Sequence, residues 1–140
     1  VFLDIDTVSE RLVRTGLVAS GHSADDRDSE DFKTTWREVI YETLFAIARE
    51  NLPFGSVAVA GPFTRELSDP DWPGRLKVLL GDSVEIHFVF CSPEVRRERM
   101  KLRANPRDLA KLADWERYLT YYGQMERPPF GHVFIDTSAG

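Results

Sequence analysis

The sequence predicts an α/β fold in which helices cover both faces of a parallel β-sheet. Four short apolar runs, at 1–3, 56–60, 84–90 and 132–135, have the composition of buried strands. Helical segments separate these runs, and parallel strands need crossover connections of this kind. The 140 residues, of which 42% are hydrophobic, are typical of a single globular domain.

The first predicted strand leads into an acidic turn. Asp4 and Asp6 follow its apolar residues, and Asp6 or Thr7 can cap a helix over 8–15. The segment 17–28 is polar and rich in acids, so we interpret it as a loop or lid. This part of the chain is therefore expected to run as strand, helix and polar loop.

The second predicted helix has the clearest periodicity of the chain. It opens at Ser29, and its apolar residues recur at helical spacing from Phe32 to about Asn51. Pro53 ends it, because proline lacks the N–H that a helix interior needs, and the strand at 56–60 follows.

The second half of the chain repeats this alternation. The strand at 84–90 leads into a helix that Ser92 caps and that reaches about Ala104. The other predicted elements of this half are a turn at 69–74, a helix at 75–80, a second helix at 107–121, a loop at 123–131 and the last strand at 132–135.

Polar residues follow the carboxyl end of every predicted strand. They are Asp4 to Asp6, Gly61 to Arg65, Cys91 with Ser92, and Asp136 to Ser138. In open parallel sheets ligands bind just outside the carboxyl ends of the strands. The sequence therefore predicts a functional site at this edge of the sheet.

Arginines recur on one face of the helix that follows Ser92. Arg96, Arg99 and Arg103 stand at i, i+3 and i+7, a spacing that places them on the same side of a helix. Guanidinium groups bind phosphate oxygens through pairs of hydrogen bonds, so this face can bind phosphate. The alternative is a solvated face whose arginines pair with the neighbouring acids Glu94, Glu98 and Asp108.

Two interpretations are open for the acids that follow the first predicted strand. Two are also open for Arg65, which follows the second predicted strand. Of Asp4 and Asp6, one can accept a proton from a substrate hydroxyl while the other orients magnesium or water. Alternatively, Asp6 only caps the following helix and Asp4 is a solvated strand end. Arg65 can reach an anionic substrate, or it can be an exposed residue of a plain turn.

The bulk composition excludes some classes of protein. The net charge of −5 argues against a general nucleic-acid or membrane-surface binder. The single cysteine, Cys91, excludes an internal disulfide and favours the cytoplasm. The three histidines are scattered, which gives a zinc site little support, and His87 is predicted to pack in the core. The oligomeric state stays open, with Trp72 at an interface or in the core.

Several motifs occur together in an informative order. They are L-D-x-D at 3–6, G-P-F-T-R-E-L at 61–67, C-S-P-E-V-R-R-E-R-M-K-L-R-A-N-P-R-D at 91–108, K-L-A-D-W-E-R-Y-L at 111–119 and F-I-D-T-S at 134–138. In this combination the chain resembles bacterial P-loop kinase-like ATP-binding proteins, which are usually described as AAA-family ATPases. Their fold is similar to that of shikimate, gluconate, adenylate and polynucleotide kinases.

The resemblance implies a fold and an activity. The fold would be a three-layer P-loop NTPase of the nucleotide-kinase type, with 1–140 as one domain and a helical lid at 92–121. The protein would use ATP and Mg²⁺ to transfer a phosphoryl group to a small hydroxyl-bearing acceptor, or would act as an ATPase. Its partners would be the nucleotide and that acceptor.

The resemblance also implies roles for residues on the acceptor side. Asp4 and Asp6 match an acidic pair that binds the acceptor and helps to hold magnesium, with Asp6 as the catalytic base or orienting group. Arg65 matches a position that faces the acceptor.

On the nucleotide side, the resemblance implies a set of lid arginines. Arg99, Arg103 and Arg107 match arginines that close over the triphosphate, and the first two would be catalytic. Asp136 and Thr137 lie where related kinases hold the adenine.

Two features depart from the family pattern. The phosphate-binding motif G-x-x-x-x-G-K-[ST] does not occur in the sequence, so we expect the first strand and the P-loop to lie before Val1 and the domain to be incomplete at its N-terminus. Ala60 stands where many relatives carry an acid that helps to hold magnesium. Two other functions therefore stay open: a non-catalytic nucleotide-binding or regulatory module, and an α/β interaction domain without nucleotide.

Overall fold

The computed structural model describes residues 1–26, 30–105, 108–122 and 126–139. The chain forms two compact units: the first comprises 1–64 and 74–84, and the second comprises 65–73 and 85–140. The predicted helix start at Ser29 and the predicted lid residue Arg107 lie outside the described residues.

The first unit contains two parallel strands and three helices. They are β1 (Phe2–Asp4), α1 (Ile5–Ala19), α2 (Glu30–Thr35), α3 (Arg37–Asn51) and β2 (Ala58–Ala60). A further helix, α4 (Trp72–Leu80), contributes most of its residues to this unit. β1 pairs with β2 in parallel, with Leu3 opposite Val59.

The core of the first unit joins these strands to α3. Leu3 of β1 packs with Leu44 and Ala48 of α3, which are fully buried. Burial of large aliphatic side chains is the main contribution to folding free energy, so this contact holds helix and strand together. Val13 and Leu17 give α1 its own buried face.

The predicted helix from Ser29 to Asn51 is two helices in the structure. Trp36 separates α2 from α3, and Ile40 at the start of α3 donates its backbone N–H to the Trp36 carbonyl oxygen over 3.0 Å. The Trp36 ring packs directly against Gly16 of α1. Apolar spacing continues through the break, which is why the sequence predicted one helix.

The second unit contains the other two strands and the arginine-bearing helix. Its elements are β3 (His87–Phe90), α5 (Pro93–Arg103), α6 (Leu109–Ala113), α7 (Trp115–Tyr122) and β4 (Val133–Asp136). β3 pairs with β4 in parallel, with Phe88 opposite Phe134. The predicted lid region at 92–121 corresponds to α5, α6 and α7.

Aromatic side chains fill one face of the β3·β4 pair. Phe88 is buried, and its ring lies 6.1 Å from that of Phe134. Because side chains alternate along a strand, His87 points to the opposite face and is exposed, so its predicted place in the core is wrong. Trp72 is buried and packs on Phe130, which places it in the core of this unit.

The strands pair in parallel, as the sequence predicted, but within the described residues they form two sheets of two strands each. No segment of the described chain pairs with both sheets. The three-layer P-loop arrangement stays a prediction. Among the described residues, no helix combines the length and the apolar character needed to cross a membrane.

The contact between α1 and Trp36 gives a first testable prediction. A Cβ atom on Gly16 would lie 2.1 Å from the Trp36 ring, so Gly16→Ala forces the indole to move. Overpacking of this kind costs about 1–3 kcal/mol, whereas the gain in helix propensity returns up to about 1 kcal/mol. We expect a net loss of unfolding free energy in urea denaturation.

Gly74→Ala is the matched control. Gly74 also lies in a helix, and a Cβ atom there would meet nothing within 4 Å. This variant should gain roughly 0.5–1 kcal/mol. Equal stabilisation by the two substitutions would contradict the packing assigned to Trp36.

Candidate functional site

The carboxyl ends of β3 and β4 are tied together by Thr137. Its backbone N–H donates to the Phe90 carbonyl oxygen over 2.8 Å, and its hydroxyl donates to the same oxygen over 2.9 Å. Thr137 directly follows the last residue of β4, and Phe90 is the last residue of β3. The two strand ends are therefore held in register at one edge of the sheet.

Arg99 of α5 reaches this strand edge. Its Nη1 donates to the Thr137 hydroxyl oxygen over 3.0 Å, and its Nη2 donates to the Thr137 carbonyl oxygen over 2.6 Å. The side chain is nevertheless exposed to solvent. A guanidinium carries five N–H donors, and among the described residues only Thr137 accepts hydrogen bonds from Arg99, through two of them.

The local sequence explains why α5 starts where it does. Ser92 is the N-cap, with its hydroxyl oxygen accepting a hydrogen bond from the Val95 N–H over 3.3 Å, and Pro93 occupies the first helical position. Only two residues separate the end of β3 from this helix. The position of β3 therefore fixes the start of the helix that carries Arg99.

A second link joins Ser92 to the segment after β4. The Ser92 N–H donates to the Ser138 hydroxyl oxygen over 2.8 Å, and the Ser138 N–H donates to Asp136 Oδ1 over 2.8 Å. The hydrogen bonds from Ser138, aided by the positive charge of Arg127, lower the pKa of the Asp136 carboxyl below its ordinary value. Asp136 is thus ionised at neutral pH.

The other two arginines of the α5 face have partners of their own. Arg103 forms two hydrogen bonds with the Asp108 carboxylate, from Nε over 2.6 Å and from Nη2 over 2.9 Å. The alternative interpretation named Asp108 as a partner, and this pairing is confirmed, but Asp108 is only 2% exposed, so its carboxylate is not part of a solvated face.

Arg96 is held close to the start of α5. Its Nη2 donates to the Cys91 carbonyl oxygen over 3.4 Å. Burial lowers the pKa of Arg96, but hydrogen bonds with Tyr118 and Cys91 more than offset this and leave the pKa above its ordinary value. Of the three predicted face arginines, Arg99 contacts Thr137 after β4, Arg96 contacts Cys91 after β3, and Arg103 is paired with Asp108.

The acidic pair lies at the carboxyl end of β1, in the first unit. The Asp4 carboxylate accepts a hydrogen bond from the Thr7 N–H over 3.0 Å and is the N-cap of α1. The prediction that Asp6 or Thr7 caps the helix is therefore wrong. The helix begins directly at the strand end, so the earlier acid takes the cap and Asp6 lies exposed in the first turn.

Sequence reasoning missed an aromatic cluster beyond the end of β2. Phe63 has a left-handed backbone (φ 43°), and its N–H donates to the Tyr41 hydroxyl oxygen over 3.2 Å. The Arg37 guanidinium lies 4.6 Å from the centre of the Tyr41 ring. Arg37 and Tyr41 are one helical turn apart on α3, and this i, i+4 spacing was the available signal.

The remaining predicted site residues are less constrained. Arg65 is exposed and precedes a short 3₁₀ turn at Glu66–Ser68. No group of three or more potential metal ligands occurs among the residues described. The structure thus joins Arg99, Asp136 and Thr137 at the β3·β4 edge, and places Asp4 and Asp6 at the β1 end of the other unit.

Comparison with models of known families, with curated proteins and with solved structures finds no match to this chain.

The pair of Arg103 and Asp108 gives a second testable prediction. Arg103→Ala leaves the buried Asp108 carboxylate without its bidentate partner. Removing one member of a buried pair costs about 3–5 kcal/mol, and since the Arg103 side chain is 60% exposed we expect about 2 kcal/mol. Chemical denaturation measures this loss of unfolding free energy.

Lys101→Ala is the control on the same helix. Lys101 pairs with Glu98, and both side chains are well exposed. A surface pair of this kind contributes about 0–1 kcal/mol, so this variant should be nearly neutral. If the two variants lose equal stability, the structural role of the Arg103 pair is wrong.

Proposed function

We propose that the protein binds ATP with Mg²⁺ and transfers the γ-phosphoryl group to a small hydroxyl-bearing acceptor, on a P-loop kinase-like three-layer fold. The observation that carries this proposal is the position of Arg99. Its guanidinium is anchored at the carboxyl edge of two parallel strands and still has N–H groups to offer.

The chemistry of this edge suits a phosphate chain. Hydrogen bonds from a guanidinium to phosphate oxygens are charge-assisted and come in pairs that match the geometry of the anion. Transfer of a phosphoryl group depends mainly on positioning and on stabilising negative charge. A positive charge that is already held in place contributes to positioning the phosphoryl group and to stabilising its negative charge.

The acceptor side is proposed to lie at the end of β1. Asp4 caps α1 through one carboxylate oxygen, and Asp6 lies exposed in the first turn of that helix. Asp6 would accept the proton of the acceptor hydroxyl. The hydroxyl oxygen of the acceptor would attack the γ-phosphorus, and the bond between that phosphorus and the leaving ADP oxygen would break. Arg65 is proposed to bind the acceptor.

The two carboxylates fit a magnesium site of the usual kind. Mg²⁺ is commonly bound by one or two carboxylates together with substrate phosphates and water, and Asp4 and Asp6 offer that number. When bound, the ion would neutralise charge that develops on the phosphate oxygens. Asp136, Thr137, Arg103 and Arg107 stay proposed nucleotide-side residues.

A second candidate function is nucleotide binding without transfer. β2 ends at Ala60, where an acid would help to hold the metal, and Arg103 is occupied by Asp108. Both observations favour a protein that uses nucleotide binding for regulation.

The role of Arg99 gives a third testable prediction. The complete protein should bind ATP in the presence of Mg²⁺, and Arg99→Ala should weaken this binding by about tenfold, the loss of one charge-assisted contact. Isothermal titration calorimetry measures the affinity. Arg117→Ala, an exposed arginine on α7, should leave it unchanged. A complete protein that does not bind ATP would favour the interaction domain instead.

The role of Asp6 gives a fourth prediction. Asp6→Asn should lower kcat for acceptor phosphorylation by about 10²- to 10⁴-fold, because general-base catalysis contributes a factor of this size. Transfer from γ-labelled ATP to a panel of small alcohols measures it. Glu38→Gln removes an acid from the first turn of α3 and is the matched control. ATP binding with no acceptor labelled would favour the second candidate.

A further inference from the structure

The hydroxyl of Thr137 makes two hydrogen bonds, one as a donor and one as an acceptor. It donates its proton to the Phe90 carbonyl oxygen over 2.9 Å and accepts a hydrogen bond from Arg99 Nη1 over 3.0 Å. A hydroxyl has one proton to donate, and that proton is already used on Phe90. The oxygen is therefore oriented by the strand end as an acceptor for the arginine.

The Thr137 carbonyl completes this contact. It accepts from Arg99 Nη2 over 2.6 Å, so both terminal nitrogens of the guanidinium are held by one residue. A planar group fixed at two points has little freedom to rotate. The Nε–H lies outside the Nη1/Nη2 edge that Thr137 holds, so it remains a donor whose plane is fixed by this contact.

Arg103 shows the contrast on the same helix. It uses Nε and Nη2 on the Asp108 carboxylate, whereas Arg99 uses Nη1 and Nη2 on Thr137, and no described residue accepts a hydrogen bond from its Nε–H. The Arg99 partner is a neutral residue, so its positive charge is not cancelled. Arg99 therefore retains its positive charge and an Nε–H donor that a phosphate oxygen can accept.

We propose that Thr137 is a positioning residue for Arg99, and that it presents this guanidinium to the polyphosphate group of a nucleoside triphosphate. The proposal rests on the proposed function and deepens it. Thr137 was expected to lie where related kinases hold the adenine. In this proposal Thr137 does not contact the base and acts on the nucleotide through Arg99. Holding the long arginine side chain before the ligand arrives reduces the conformational entropy lost on binding.

Thr137→Val is the substitution that tests the role. Valine keeps the shape and removes the hydroxyl, so the hydroxyl bonds to Arg99 Nη1 and to the Phe90 carbonyl are lost, while the backbone contacts of Thr137 with Arg99 Nη2 and with Phe90 remain. We expect the complete protein to bind ATP and inorganic tripolyphosphate about threefold to tenfold more weakly, the effect of one hydrogen bond. Thr137→Ser keeps the hydroxyl and should bind both within about twofold of the wild type.

A double-mutant cycle separates positioning from simple stability. If Thr137 acts through Arg99, the valine substitution should have no further effect on affinity in the Arg99→Ala background. Circular dichroism and thermal melting of each variant show whether it is folded. Adenosine, which lacks phosphate, should bind the wild type and Thr137→Val equally.

Two patterns of results would overturn the inference. Equal weakening by Thr137→Val with and without Arg99, or weaker binding of adenosine, would mean that Thr137 contacts the nucleotide directly. Unchanged ATP affinity in Thr137→Val beside weakened affinity in Arg99→Ala would reject positioning and leave the proposed function standing. Failure of the wild type to bind either ATP or tripolyphosphate would overturn the proposed function itself.

Discussion

The pairing of the strand ends at Phe90 and Thr137 is the constraint on which the second unit depends. Three hydrogen bonds, two onto the Phe90 carbonyl oxygen and one from Ser92 to Ser138, join the end of β3 to the residues after β4. Because α5 begins just after β3, any shift of this junction would move the helix. The site therefore depends on sheet pairing as much as on the arginines themselves.

Much of the local structure could be predicted from the sequence. The apolar runs predicted the four strands, and the caps predicted the start of α5 at Ser92 and Pro93. Both signals are local: burial favours a continuous apolar run, and a capping side chain satisfies an N–H group a few residues away. Helical spacing likewise predicted one face for Arg96, Arg99 and Arg103.

The sequence could not predict which partner each side chain meets. Trp36 interrupts the predicted long helix where its ring packs on Gly16, which is distant in the sequence. The N-cap of α1 is Asp4 and not a later residue, because the helix starts directly at the strand end. Periodicity does not define such a boundary to within a few residues. The sequence indicated a pair of Arg103 with Asp108 only as the alternative to phosphate binding.

Three arginines with the same charge and spacing thus have different physical roles. Arg96 lies partly buried beside Tyr118, and Arg103 is neutralised by a buried carboxylate, so the charge of each stabilises the fold. Arg99 is bound by neutral oxygens that restrain it without cancelling its charge. A cation contributes to anion binding when it is ordered but not already paired, because the ligand then meets a full charge at a low entropic cost. The neutrality of Thr137 is therefore what distinguishes the candidate site from an ordinary salt bridge.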